Sequence, residues 1–344
     1  MRILTETREL DRDQWLDSRM TGLGGSDAAA VVNLNPWRSR VRVWLEKTGQ
    51  ALHTDETETM KWGTILEEDI AREFAARTGL SIRRRNAILQ HDEHDWMLAN
   101  LDRIVYTSEG QGVLECKLSS SEQLWADGIP EMYLIQMQHY LAVTGFQFGY
   151  FAALIANHGF ELRIEKIERD EEAIAALISV EQEFWNLVTS GTPPAMDGSD
   201  DCTNVLKTLY PVGKNDNAVD LDEDELALAQ GYLQAHQDEK DAKARKQEAG
   251  NKLRDALKDA TIGRYPDGKP AVTWKNGKPS LVFDQERFEG VEPDLFAEFV
   301  DPVPPVFNRT RFEEEKPLTY AFYLEEKPGN RSLLVKKRSV KNGD

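Results

Sequence analysis

The chain has 344 residues, a net charge of −18, 40% hydrophobic residues and two cysteines. That length can hold one large or two medium domains with true cores. Two cysteines exclude a disulfide framework, and without a signal-like leader or an apolar run long enough to span a bilayer, a soluble cytoplasmic protein with no membrane partner is expected. The acidic total argues against nucleic acid until its distribution is considered. Residues 1–90 are balanced in charge, with Arg38, Arg40, Arg42 and Arg83, Arg84, Arg85 available as a track for a phosphate backbone, and the negative excess lies in residues 91–230.

In chain order, WLDSRMTGLGGSDAAAVV presents a Gly-Gly-Ser-Asp turn opening a helix, with Ser26 as its N-cap. Free N–H groups at such a start attract phosphate. A second helix is expected to begin after Gly63 and Thr64 and to stop at Gly79. Leu66, Ile70 and Phe74 form its buried stripe, Glu67 borders that stripe, and Glu68 falls on the solvated side. HDEHD carries His91 and His94 at a spacing that invites zinc, but no second ligand pair accompanies them, so a solvated turn is expected.

WMLANLDRIVYT reads as a strand carrying Asp102, joined by the turn SEGQG to VLECKL at 113–118. Side chains alternate along a strand, so Glu115 and Lys117 share one face while Leu114, Cys116 and Leu118 take the other. An ion pair at a sheet edge would explain Glu-X-Lys alone. Antiparallel pairing across the turn, however, brings Asp102 near Glu115, and two carboxylates suit a hard divalent cation. In EMYLIQMQHYLAVTG, Gln136 and Tyr140 are i, i+4 neighbours on one helix face. Residues 149–167 read as a hairpin around Asn157 to Gly159, followed by a helix with Ile178, Phe184, Trp185 and Val188. Together these give an α/β arrangement, a mixed sheet flanked by helices with the site on its central strands.

Near residue 212 the composition changes. Residues 221–260 read as one long helix or two hairpinned helices broken near Gly231 or Gly250, and residues 261–285 as a small β unit around VTW and SLVF. The tail contains PVPPVF, FEEEKP and the basic RSLLVKKRSVK.

Four motifs fall in order: Gly63 to Glu67, Asp102, Glu115-Cys116-Lys117, and Gln136 to Tyr140. As a set, over roughly residues 10–210, they resemble the nuclease core of the lambda exonuclease and RecB-like superfamily, the PD-(D/E)XK nucleases, and most closely the YqaJ-type viral recombinases. The resemblance implies a restriction-endonuclease-like fold with a nuclease domain over residues 1–212 and an assembly or partner-contact region over 213–344. It implies Mg²⁺ or Mn²⁺ held by Asp102, Glu115 and the Cys116 backbone carbonyl, with Glu67 as a further candidate ligand. Glu67, Asp102, Glu115, Lys117 and Gln136 become the catalytic candidates. Trp15, Arg19 and Ser26 fall where the family holds a 5′-phosphate, and Tyr140 joins Arg19 and Ser26 as a DNA contact. A 5′ to 3′ exonuclease on double-stranded DNA follows, acting in phage-type recombination in a bacterial cell, closed into a homo-oligomeric ring and paired with a single-strand annealing protein. An end-independent endonuclease and a non-catalytic DNA-end scaffold are the alternatives. The iron–sulfur branch of the fold is excluded, since two cysteines cannot supply four ligands. One departure stands out: Arg103 follows Asp102 where relatives commonly carry glycine, and strand alternation points it away from the site.

Overall fold

In the computed structural model, residues 1–50, 57–157, 159–213 and 218–275 are described, together with Gly290, Val291, Pro293, Glu314 and Pro317. The chain divides into two compact units, Met1–Pro211 and Val212–Asp344.

The first unit runs β1 (Arg2–Glu6), α1 (Arg12–Met20), β2 (Leu23–Gly24), α2 (Gly25–Val31), α3 (Arg40–Lys47), α4 (Glu58–Thr78), β3 (Ser81–Arg83), β4 (Ala87–Gln90), β5 (Met97–Asn100), β6 (Arg103–Thr107), β7 (Gly110–Ser119), α5 (Glu131–Thr144), β8 (Phe148–Ile155), β9 (Glu161–Glu168), α6 (Glu171–Ser190) and α7 (Asp200–Leu209). Its central sheet has the order β3-β6-β7-β8-β9. β6 and β7 pair antiparallel, with Thr107 opposite Gly110 at the turn and Arg103 opposite Leu114 at the far end. β7 and β8 pair in parallel, the crossover being made by α5. A second sheet has the order β1-β4-β5-β2.

Helices cover the central sheet as expected of a mixed α/β protein. α4 packs Ile70 and Phe74 against Leu114, Phe148 and Ala152. The other core joins residues of α2, α3, α5 and α6 to Val113 and Phe151. Each fully buried side chain of this kind contributes about 1.5–3 kcal/mol, which fixes β7 between two cores with one polar seam on the α5 side.

Several elements differ from the sequence reading. α4 starts at Glu58, before Gly63, because Thr57 accepts a hydrogen bond from the Met60 N–H and nucleates the helix early. It ends at Gly79, φ +71°, as glycine allows. WMLANLDRIVYT is not one strand: β5 belongs to the four-stranded sheet and β6 to the five-stranded one, so Asp102 sits at the bend where the chain changes sheets.

In the second unit, α8 (Glu223–Leu257) is a single helix of 35 residues, capped by Asp222 and passing unbroken through Gly231 and Gly250. Flanking charge and amide pairs at i, i+4, such as Gln234 with Asp238 and Lys252 with Glu248, support it through both glycines. β10 (Ile262–Arg264) and β11 (Pro270–Thr273) form a hairpin. SLVF, PVPPVF, FEEEKP as a unit and the basic terminal run lie outside the described residues. Among the described residues no helix is long and apolar enough to cross a membrane.

Candidate active site

Glu115 and Lys117 do share the α5 face of β7. Glu115 is buried, and its Oε1 accepts hydrogen bonds from Lys117 Nζ at 2.7 Å and Gln136 Nε2 at 2.7 Å. Gln136 Nε2 also donates to the Tyr140 hydroxyl at 3.0 Å, so the i, i+4 pair on α5 is interior rather than surface. Lys117 Nζ stands 5.0 Å from the centre of the Tyr133 ring. The second oxygen of Glu115, Oε2, is buried and has no hydrogen-bond partner among the described residues.

Asp102 reaches β7 from the sheet-switching bend, and its Oδ2 accepts from the Cys116 N–H at 2.8 Å. Burial, followed by the charges of Glu115 and Glu67, pushes its carboxyl well above the usual range. Burial opposes the charge on Lys117, but Glu115 and Asp102 outweigh it and raise its pKa. Lys117 is therefore an ammonium at neutral pH. Burial and the neighbouring carboxylates push the Cys116 thiol up, so it stays protonated.

Arg103 turns to the α4 face, away from Glu115, but it engages a site candidate there. Its Nη1 donates to Glu67 Oε1 at 2.6 Å and its Nη2 to Glu68 Oε2 at 2.7 Å. Glu68, expected to be merely solvated, thus holds both Arg103 and Arg84. Among the described residues no three His, Cys, Asp or Glu side chains are placed to hold one metal ion together, and Glu67 in particular is committed to Arg103.

The N-terminal candidates converge on the same place with a corrected local geometry. Ser26 is not the N-cap. α2 begins at Gly25, and the Asp27 side chain reaches back to accept from the Gly24 N–H at 2.9 Å. Ser26 Oγ instead accepts from Arg19 Nη2 at 2.8 Å, and the Arg19 guanidinium lies 4.7 Å from the Trp15 ring centre. Gly25 is required where it stands, since a Cβ there would lie 2.5 Å from Tyr140 Cε1. Tyr140 is correspondingly buried, a wall of the site rather than an open contact surface. One cleft of about 230 Å³ is lined both by Asp102, Glu115, Lys117 and Gln136 and by Trp15, Arg19 and Ser26.

The arginines expected to form a phosphate track are largely spent internally. Arg38 binds Asp27 at 2.6 Å and also Glu46, and Arg42 binds Asp201 at 2.6 Å. Arg40 lies over Phe184, and Arg84 is held by Glu68. At the histidine turn, His91 Nδ1 accepts from the N–H groups of Glu93 and His94, a use that accounts for it without a metal. Four interior residues that the motifs did not single out are prominent. Asp27 and Lys47 lie beneath Arg19, and His139 pairs with Glu181 at 2.8 Å with both side chains fully buried. Asp27 has a local signal, an acid at the third helical position after glycine, which is half of a capping box.

The fold and the cleft together define an α/β protein with a buried acid, lysine and glutamine set on a central strand. The family model of the YqaJ-like viral recombinase domain matches residues 14–147. The YqaJ protein of Bacillus subtilis strain 168 is 36% identical over 301 residues, 86% of this chain and 92% of the relative. The chain belongs to the YqaJ-like viral recombinase family, as the motif set implies. Among solved structures it is similar to an alkaline exonuclease of Laribacter hongkongensis (19% identity, TM-score 0.44, 52% of this chain and 94% of that one). It is also similar to a phage-related exonuclease of Haemophilus somnus 129PT (13% identity, TM-score 0.38, 49% and 96%).

Proposed function

We propose that the chain is a metal-dependent deoxyribonuclease that degrades double-stranded DNA from a 5′ end during phage-type recombination. The observation that carries this reading is the single cleft shared by the carboxylate, lysine and glutamine set and by the Arg19–Ser26 pair. Two carboxylates, the buried Glu115 with an oxygen lacking any partner among the described residues and the half-buried Asp102 with its carboxyl pushed up, are a ligand set short of a cation. Two carboxylates suit Mg²⁺ or Mn²⁺, which keep several waters and seldom use an all-protein cage. Asp102 and Glu115 would hold the ion, with the Cys116 backbone carbonyl beside them. Bound there, it would polarise the scissile phosphate and neutralise charge on the attacking and leaving oxygens.

Lys117, protonated, orients the attacking water and donates to the phosphate oxygens; it does not serve as the base in that state. Gln136 fixes the Glu115 carboxylate through its hydrogen bond. Arg19 and Ser26 take the terminal 5′-phosphate, for which the guanidinium fork is suited. Tyr140 shapes the cleft against Gly25. Glu67 joins the metal's surroundings only when released from Arg103. On this reading the partners are double-stranded DNA, a single-strand annealing protein and further copies of the chain in a ring, in the cytoplasm of a bacterial cell, with residues 213–344 serving assembly or partner contact.

The grip of Arg103 on Glu67 favours a second reading, a DNA-end scaffold without catalysis. Cleavage of linear and of circular duplex with and without Mg²⁺ or Mn²⁺ separates the readings. Metal-dependent loss of linear duplex alone is expected. Cutting of circular duplex would give an endonuclease, and binding without cleavage the scaffold.

A further inference from the structure

Asp27 has no exposed surface, yet both of its carboxylate oxygens are engaged by cations. Its Oδ1 accepts from Arg38 Nη1 at 2.6 Å. Its Oδ2 accepts from the Gly24 N–H at 2.9 Å and from Lys47 Nζ at 2.8 Å. Burial alone would push this carboxyl up, but Lys47, Arg38 and Arg19 together hold it well below the carboxylate range. The two cations lead directly to the phosphate candidates. Lys47 Nζ donates to the Arg19 backbone carbonyl at 2.8 Å, and Arg38 Nη1 also reaches the Ser26 carbonyl at 3.4 Å.

Deleting the charge would leave the buried Lys47 without an acid and Arg38 with Glu46 alone, the costly case for an interior ion network. A capping role at Gly24 needs one carboxylate oxygen and one N–H. It does not need a lysine from α3 and an arginine from the loop before it.

We propose that Asp27, Lys47 and Arg38 are positioning residues that set the Arg19–Ser26 pair for a terminal phosphate: Lys47 fixes the Arg19 main chain, Arg38 the Ser26 main chain, and Asp27 locks both cations in place. The proposal rests on the end-reading role given to Arg19 above. It follows from the way supporting bonds hold contacting groups within a fraction of an ångström of working geometry.

The test is the ratio of initial rates on 5′-phosphorylated and 5′-hydroxyl linear duplex, measured with the full chain. Asp27→Asn is the direct variant, but with the buried Lys47 left without an acid it can fail to fold. Lys47→Met keeps the Asp27–Arg38 pair and the Gly24 cap while it removes the hold on Arg19 and the Lys47–Asp27 contact. The ratio is expected to fall roughly tenfold in Lys47→Met, within the ~100-fold that a 1 Å misplacement can cost, with the change in KM for phosphorylated ends. Lys47→Arg should restore part of it. A merely structural role would slow both substrates alike and leave the ratio intact, and that result in folded Lys47→Met overturns the positioning role alone. A wild-type ratio of one overturns the Arg19 reading and the positioning role together.

Discussion

Two aspartates in the first unit, the buried Asp27 and the half-buried Asp102, have opposite electrostatic surroundings. Asp27 meets two cations and a backbone N–H and is held well below the carboxylate range. Asp102 meets Glu115 and Glu67, takes one backbone hydrogen bond, and is pushed well above that range. The first is a finished ion network, neutralised by the chain itself. The second, with the orphaned Glu115 Oε2 beside it, is an excess of negative charge in a confined cleft, stable only while one acid holds a proton or a cation arrives. On the proposed function, the difference separates an acid that builds the site from acids that would do its chemistry.

If that contrast is right, the largest effect comes from the unbalanced cluster and falls on turnover. Glu115→Ala and Asp102→Ala should abolish metal-dependent cleavage. Asp102→Ala should keep the thermal unfolding midpoint near wild type, because it removes charge repulsion along with a ligand, whereas Glu115→Ala also strips Lys117 and Gln136 of their acceptor and should lower it. Lys117→Ala should lose about 10²- to 10³-fold in rate, the usual worth of a placed donor aimed at developing negative charge. Near-normal rates in folded Glu115→Ala would remove the cluster from the mechanism.

The next effect falls on stability and has the opposite distribution. Asp27→Asn should destabilise the fold by about 3–5 kcal/mol, the cost of breaking a buried pair by removing one partner, whereas Asp102→Asn should leave stability unchanged or raise it. Because the folded Asp27 pKa is depressed, its contribution is present above the unfolded carboxyl value near 3.9 and is lost as pH falls through the folded one. Urea unfolding of both variants at neutral pH decides the matter. Equal losses would mean that the two acids are not different in kind.

The polar seam of the site was legible in the sequence because it follows local periods. Glu115 and Lys117 are two apart in a strand, Gln136 and Tyr140 four apart in a helix, and each spacing forces a shared face. The parts that were not legible depend on long-range partners. Lys47 meets Asp27 from twenty residues on, and Arg38 and Arg42 looked free because their acids, Asp27 and Asp201, are chosen by the packing of α3 against its neighbours. The same holds for Arg103, whose direction alternation gives correctly but whose partners on α4 it cannot supply. The Ser26 cap failed for a local reason: serine is a good cap, but Asp27 one residue later could close on Gly24 and started the helix early. The early start of α4 has a similar origin in Thr57, which a reading that treats Gly63 as a boundary passes over.

His139 and Glu181 supply an intermediate case, one acid and one base with no second cation, and therefore the smallest expected effect. His139 donates from Nε2 to the Leu98 carbonyl at 2.9 Å and from Nδ1 to Glu181 at 2.8 Å when both nitrogens are protonated. Burial disfavours that charge, but Glu181 and the Leu98 carbonyl outweigh it and raise the His139 pKa. A raised folded value means that the pair's contribution is fully present below the unfolded value near 6.5 and is lost as pH rises through the folded one, about 1.4 kcal/mol for each unit between the two. The stability difference between wild type and His139→Gln, measured by urea unfolding from pH 5.5 to 9, should therefore shrink as pH rises. A His139 difference that does not change with pH would mean that the imidazole is buried neutral, and the pair would then belong with ordinary hydrogen bonds rather than with the finished ion network around Asp27.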